Sequence, residues 1–432
     1  MMFSKRLLRL LLLAFTLILV HQSCELDDLM GDEDDPNYVS KQDAEKAAEN
    51  LLFPDIDPTD TSTIILFKDD YNTRKFVSTI DEISGRGNKN LFYIVNYADS
   101  GFAIIAADKR IQPVLAYSKY NAFPLESKTS LPPALAHWLE DYATMIANIR
   151  KEDIKAPDRT SLMWERVLDM QINIDFLEMF ECDDGSIDFG EYVEKKILLD
   201  TKWSQGCYFN AALSDSCQQN HWWLCNRPPV GCVATAIGQI LKYHADGSWS
   251  GAYMTNGSGG NQGNPKLLDW ENMPLSMHPS FSHNPGDIPE LMEDLGIFLS
   301  MGYGCDGSGT NYKKAYETIT EDFNFSGIKK DLTSASDYST VISDIKNNLP
   351  VYMRGNEEKK EENLEGEIEV SYPGHGWVAD GYAQYHDCRV GFRENDYQIH
   401  MNWGWGGNHD GQYMKKEGRY DENRQIIHGI SP

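Results

Sequence analysis

The sequence predicts an α+β protein made of two unequal units. Three observations carry that prediction. Strand candidates over Thr63–Phe67, Leu91–Tyr97, Phe102–Ala106 and Val114–Tyr117 are grouped between two helical stretches, each apolar or β-branched and bounded by turn residues. The composition shifts near residue 190, and the chain beyond is richer in Gly, Trp, Asn and His. With 432 residues, 41% of them hydrophobic, there is apolar material for at least one sizeable core and length for two or more domains.

The elements follow in order. Lys5, Arg6 and Arg9 make a positive opening, and the run from Leu10 to Val20 is apolar. At about eleven residues that run falls short of the about 20 that cross a hydrocarbon core. It predicts a secretory signal over residues 1–23. His21-Gln22-Ser23-Cys24 resembles a bacterial lipobox, and the acidic Glu25, Asp27 and Asp28 resemble the surface-export signal of Bacteroidetes lipoproteins. This implies lipidation at Cys24 and an extracytoplasmic chain held at the outer membrane or cell surface by acyl chains, with no spanning helix. The competing reading is a cleaved signal and an incidental cysteine.

Residues 24–38 read as an acidic tether. Residues 39–150 read as a small α+β unit. Val39–Phe53 is rich in helix formers, Asp99-Ser100-Gly101 turns one strand into the next, and Leu131–Arg150 starts a helix with Pro132 and Pro133 near its beginning. Residues 151–190 read as a connector with helical pieces. Residues 191–432 form the second unit, within which Glu357–Glu369 reads as an exposed charged loop.

Charge and cysteine content narrow the function. A net charge of −27 excludes a basic nucleic-acid footprint over the chain, so no nucleic acid is expected as partner. Ten Trp and 22 Tyr argue against a largely disordered chain. Eight cysteines in an exported chain permit disulfides. Cys207, Cys217 and Cys225 crowd one polar loop, and one pair among them is expected without the spacing saying which. Cys217, His221 and Cys225 fit no common zinc pattern, so no metal is expected.

The chemistry lies in the second unit. Pro228-Pro229-Val230-Gly231 halts the chain, and Cys232-Val233-Ala234-Thr235-Ala236 opens a helix. Cys232 falls in its first turn, where free N–H groups and the helix dipole favour a thiolate, the form that acts as nucleophile. The alternative is a buried structural cysteine. His375 stands between Gly374 and Gly376 and leads into an alternating strand pattern. The interval from Cys232 to His375 falls within the about 130–150 residues that separate Cys and His in papain-like enzymes. Asn402 and Trp403 follow the strand Tyr397–Met401, and an Asn after the His orients the imidazole in such sites. Gln205, upstream, offers an amide for an oxyanion. Each piece alone has a packing explanation.

In the order Gln, Cys, His, Asn-Trp the pieces become specific. The chain resembles the C10 (streptopain) family of papain-fold cysteine peptidases. The resemblance rests on Gly231 to His244, on Gly374 to Tyr382, and on Asn402-Trp403-Gly404-Trp405-Gly406-Gly407. It extends to Leu198 through Gln205, to Asp269–Met273 and to Gly302–Thr310. The first unit resembles the family's inhibitory propeptide, most clearly over Gly101–Arg110 and Pro113–Ser118. The resemblance implies a papain-like peptidase domain behind an inhibitory prodomain, with Cys232 as nucleophile, His375 as base and then acid, and Gln205 at the oxyanion. Asn402 and Trp403 would support the imidazole. Trp405, Ser308, Gly309 and Gly374 would line the substrate site. Protein or peptide substrates are implied, with the chain's own prodomain as intramolecular inhibitor and no cofactor. Tyr208 where Pro-Tyr is usual, Gly376 where Ala is usual, the extra thiols and the charged insertion depart from the pattern. The alternatives are a catalytically silent binding lipoprotein and another thiol acyl-transfer enzyme on the same fold. No H-E-x-x-H or G-x-S-x-G is present to suggest a metallopeptidase or a serine hydrolase.

Overall fold

A computed structural model of the chain describes residues 35–51, 75–85, 90–125, 131–168, 191–217, 222–255, 265–278, 280, 283–333, 337–356, 359–362, 368–371, 374–386, 397–414 and 424–432. The expected signal segment, Cys24, the tether up to residue 34, the strand expected at Thr63–Phe67 and the connector over 169–190 lie outside the described residues.

In the first unit, Ser40 caps helix α1 (Lys41–Glu49), its Oγ accepting the Asp43 N–H at 3.1 Å. Ala44, Ala47 and Ala48 form its buried stripe, at the three- and four-residue spacing of one helix face. Four antiparallel strands follow: β1 (Val77–Ser84), β2 (Asn90–Tyr97), β3 (Phe102–Ala106) and β4 (Val114–Ser118). The sequence pointed to β2, β3 and β4, which are almost wholly buried. It did not point to β1, because β1 is an edge strand with no buried residue and a polar composition. Helix α2 (Pro133–Lys151) starts on a proline and buries Leu135, Trp138, Leu139, Tyr142, Ala143 and Ile146. Helix α3 (Asp158–Leu168) lies in the segment expected as a connector with helical pieces.

The second unit runs through β5 (Glu191–Ile197), α4 (Cys232–Ala245), β6 (Ala252–Met254), β7 (Pro265–Leu267), α5 (Ile288–Phe298), α6 (Tyr312–Glu317), β8 (Ser326–Asp331), α7 (Tyr338–Lys346) and β9 (Val351–Asn356). It continues through β10 (Lys359–Glu362), β11 (Ile368–Ser371), β12 (Gly374–His386), β13 (Tyr397–Asn402), β14 (Gly411–Met414) and β15 (Gln425–Ser431). The charged insertion expected as a loop is a hairpin in its described part, with β10 paired to β11 from Lys359↔Ser371 to Glu362↔Ile368. No helix among the described residues is long and apolar enough to cross a membrane.

The two units share one sheet. Its order is β1-β2-β3-β4-β14-β13-β12-β9-β15-β8, with β5 also paired to β12. The junction is the antiparallel pair β4–β14, with Gln412 opposite Tyr117 and Tyr413 opposite Ala116. Each unit would otherwise present an open row of N–H and C=O groups at that edge, and joining satisfies both rows.

The middle of the sheet is apolar on both faces with the period of two that a strand imposes. In β12, Trp377 and Ala379 belong to one core cluster and Val378, between them, to the other. Met353 and Tyr352 divide in the same way in β9, as do Ile426 and Ile427 in β15. One face packs against α4 and α5. The other joins the core of the first unit, where α2 lies directly on β12. The first unit thus covers the back of the strand that carries His375.

Candidate active site

The position expected to carry the nucleophile is built by a chain stop followed by a buried helix. Gly231 sits at the N-cap of α4 with φ +92, in the left-handed region that favours glycine. A Cβ there would also meet the Met301 side chain at 2.9 Å and the Ser308 carbonyl at 3.2 Å. Nearly every residue of α4 from Val233 to Leu241 is buried, so the helix is fixed from all sides. Cys232 opens it and is half-buried, the one cysteine without a disulfide among the described residues.

His375 is the second residue of β12, opposite Gly355 of β9. This register brings the next residue's N–H to the thiol: Gly376 N donates to Cys232 Sγ at 3.3 Å. The imidazole lies nearly parallel to the Trp377 indole, with centroids 6.2 Å apart, and within 6.5 Å of the Trp403 ring. Its Nε2 contacts the Trp403 carbonyl oxygen at 3.0 Å. A carbonyl only accepts, so Nε2 carries the proton and Nδ1 keeps the lone pair. The side chain of Asn402, by contrast, does not bond the imidazole. Its Nδ2 donates to the Thr201 carbonyl at 2.8 Å, and its Oδ1 accepts the Gly404 N–H at 3.1 Å.

Burial sets the charge state in this form. It pulls His375 down to about 4, with the Trp403 carbonyl opposing the shift, so the imidazole is neutral. Burial also pushes the Cys232 thiol up, and this outweighs the Gly376, Val233 and Cys232 N–H groups and Arg354, which all pull it down. The sequence expectation of a stabilised thiolate is therefore reversed here. The helix N-terminus acts in the expected direction, but crowding of the sulfur by protein atoms dominates.

The remaining expected site residues lie on three loops and the start of β12. The Gln205 carbonyl accepts the Val230 N–H at 2.9 Å, which sets Gln205 beside the segment that leads into Cys232. Gly309 and Gly302 pair through both backbone N–H groups, at 3.1 and 2.9 Å, and Ser308 Oγ accepts from Gly304 N at 3.4 Å. That loop leans on Gly231. Gly374 is exposed at the start of β12. Trp405 is half-buried, and its enclosed Nε1 has no hydrogen-bond partner.

Two disulfides frame the loops. Cys207 pairs with Cys225, one of the three combinations the sequence left open. Cys217 reaches out of that group to Cys305 and ties the loop before α4 to the 302–309 loop. Both sulfurs of the C-x3-H-x3-C pattern are consumed, and His221 lies outside the described residues. Gly376 has a local cause as well. A Cβ there would meet Tyr352 Oη at 2.8 Å, so this tyrosine occupies the space that an alanine methyl would need.

Several groups near the site went unnoticed in the sequence. Asp380, fully buried within β12, accepts from Leu199 N and pairs with His400 Nδ1 at 2.6 Å. Asp410 Oδ1 accepts the Trp403 N–H at 2.8 Å. Their partners are set by sheet register and turn shape, which no local pattern announces. The first unit reaches the same turn: His409 N donates to Ala122 O, Asn121 Nδ2 donates to Asp410 O, and Lys202 Nζ donates to Asn121 Oδ1. Residues 121–124 thus grip the segment that supplies the carbonyl for His375.

Comparisons with known proteins find relatives of both units. Residues 203–413 match the model of the peptidase C10 family, and residues 36–146 match that of the Spi protease inhibitor. The chain is 24% identical over 427 residues to the thiol protease/hemagglutinin PrtT of Porphyromonas gingivalis, an alignment covering 91% of this chain and 42% of that protein. It therefore spans less than half the length of that relative. It is 26% identical over 358 residues to streptopain of Streptococcus pyogenes, covering 76% of this chain and 74% of streptopain. A solved fragment of prointerpain A from Prevotella intermedia shares the fold, with a TM-score of 0.50 at 20% identity over 82% of this chain and 99% of that one.

Proposed function

Since the chain belongs to the peptidase C10 family and carries a Spi-type inhibitor domain ahead of the peptidase domain, we propose that it is the precursor of a cysteine endopeptidase acting on proteins or peptides. The observation that carries this reading is the meeting of Cys232 and the Gly374–Gly376 strand end: Gly376 N lies 3.3 Å from Cys232 Sγ, and His375 Nε2 is committed to Trp403 O. This leaves Nδ1 as the basic nitrogen. In the mature form His375 takes the thiol proton, Cys232 attacks the scissile carbonyl, and the imidazolium returns the proton to the leaving amine. Water then hydrolyses the thioester. The Cys232 N–H and the Gln205 amide serve the oxyanion in this reading. Ser308, Gly309, Gly374 and Trp405 form the walls of the substrate site.

The precursor is latent by the same physics. A protonated thiol and a buried neutral imidazole do not form an ion pair, and the prodomain covers β12 and the 403–410 turn. Cleavage between about residues 150 and 195 releases it. We place the chain outside the cytoplasm, anchored through Cys24. The apolar run that stops at Val20, shortly before the Ser23-Cys24 pair, supports this, as do the two disulfides, which an oxidising compartment preserves.

The full chain, incubated with a reductant and a denatured protein substrate, tests the reading on one gel. The precursor should shorten and the substrate should disappear, and Cys232→Ala should do neither. Substrate turnover by Cys232→Ala would remove Cys232 as nucleophile. Silence of the wild type, even after an added protease has cut the connector, would remove the peptidase reading.

A further inference from the structure

The carbonyl that holds His375 is itself held from the nucleophile's own helix. Trp403 C=O and Gly404 N–H belong to one peptide group. Its oxygen takes the His375 Nε2 proton at 3.0 Å, and its N–H donates to Asn402 Oδ1 at 3.1 Å. Asn402 is locked in turn by Gln239 through two reciprocal bonds. Gln239 Nε2 donates to Asn402 Oδ1 at 3.1 Å, and Asn402 Nδ2 donates to Gln239 Oε1 at 3.2 Å. The amide orientations are fixed by backbone donors, because Gln239 Oε1 also accepts the Trp203 N–H at 3.1 Å. Flipping either amide would set NH2 against N–H. Gln239 is fully buried and Asn402 is 2% exposed, and each of their polar atoms has a partner. Gln239 lies seven residues after Cys232 on α4, two turns along the same face.

We propose that Gln239 is a positioning residue for the catalytic base, acting through Asn402 and the Trp403–Gly404 peptide. One rigid helix then carries the nucleophile at its first turn and, two turns on, the amide that sets the direction of the base. The arrangement does two things. It orients a carbonyl toward the imidazole, and by hydrogen-bonding the N–H of the same peptide it makes that carbonyl a better acceptor, which favours the protonated ring when the ion pair forms. The inference rests on the peptidase reading above.

The test uses the full chain, matured by connector cleavage, as wild type, Gln239→Met and Gln239→Asn. Gln239→Met keeps the length and removes both polar atoms. Gln239→Asn keeps an amide that is one methylene too short. Two quantities are read: kcat and KM on a peptide, and the pH profile of Cys232 alkylation by iodoacetamide. Either variant should lose about 10- to 100-fold in kcat with KM little changed. The range over which the thiol reacts as an ion pair with His375 should narrow, its upper limb moving to lower pH. A brace with only a packing role would lower thermal stability and leave that profile in place. If Gln239→Met does not fold, Gln239→Asn decides. A folded variant with the wild-type alkylation profile and kcat overturns the inference. A wild type with no peptidase activity and no base-assisted alkylation overturns the function reading itself, a distinct result.

Discussion

The imidazole of His409, on the peptidase side, stands edge-on to the ring of Phe123 on the prodomain side, with centroids 4.6 Å apart and planes at 84°. Its Nε2 faces the Pro124 carbonyl at 3.4 Å. Burial pulls this histidine down to about 4, against the Pro124 and Asn408 carbonyls, which raise it. Once the prodomain leaves, the ring is free to return toward its ordinary value near 6.5. The closed form therefore binds fewer protons than the open form between about pH 6.5 and 4. Closure is fully favoured above that window and weakens as pH falls through it.

The first prediction follows. After the connector is cut, prodomain dissociation measured by gel filtration should increase as pH drops from 6.5 toward 4. Asp410, beside His409, is pushed up to about 7 by burial and opposes this if opening wets it. His409→Gln isolates the histidine contribution: the variant should dissociate with a flatter pH dependence than wild type. Identical slopes would refute the assignment.

A second prediction concerns the loop cross-links. Cys207–Cys225 and Cys217–Cys305 should both appear in peptide maps of the non-reduced precursor. The second closes the longer loop, and its loss should cost about 2–4 kcal/mol. Cys217→Ser with Cys305→Ser should lower the denaturant midpoint and raise KM, since the 302–309 loop loses its tie. An unchanged midpoint and KM would show that the loop is held by other means.

A third prediction concerns the prodomain core. The Asp108 carboxylate, 1% exposed, bonds both Arg110, at 2.8 Å, and Arg150, at 2.9 Å, each 3% exposed. Arg150 Nη2 also donates to the Asn90 and Ala107 carbonyls, joining the end of α2 to the sheet. Arg150→Met removes one cation and its bonds to the Asn90 and Ala107 carbonyls. It should destabilise the precursor by about 3–5 kcal/mol in urea unfolding. A loss below about 1 kcal/mol would mean that water replaces the guanidinium.

The fourth prediction tests why glycine follows His375. Gly376→Ala puts a methyl 2.8 Å from Tyr352 Oη and should cost about 1–3 kcal/mol. Adding Tyr352→Phe should recover part of that loss. Chemical denaturation of the three proteins decides it, and a double variant no better than the single one would leave the tyrosine without a role.

The sequence by itself determined the local elements whose signal is local. β3 matches the expected Phe102–Ala106 outright, and β2, β4 and α2 match within a few residues, because continuous apolar runs and proline punctuation are read off short windows. It also placed Cys232 at a helix start and His375 at a strand start, since glycine and proline mark those boundaries. Tertiary structure alone decided the rest. The joining of β4 to β14 rests on the edges of two distant segments, and backbone edges have no side-chain signature. The Cys217–Cys305 bond depends on loop approach rather than spacing. The choice between Asn402 and Trp403 turned on a backbone carbonyl, which every residue possesses, so no sequence could name it. Likewise Gln239 looked like one more residue of a helix until the fold set its amide against Asn402, because a buried hydrogen-bond partner is specified by geometry in three dimensions and by nothing along the chain.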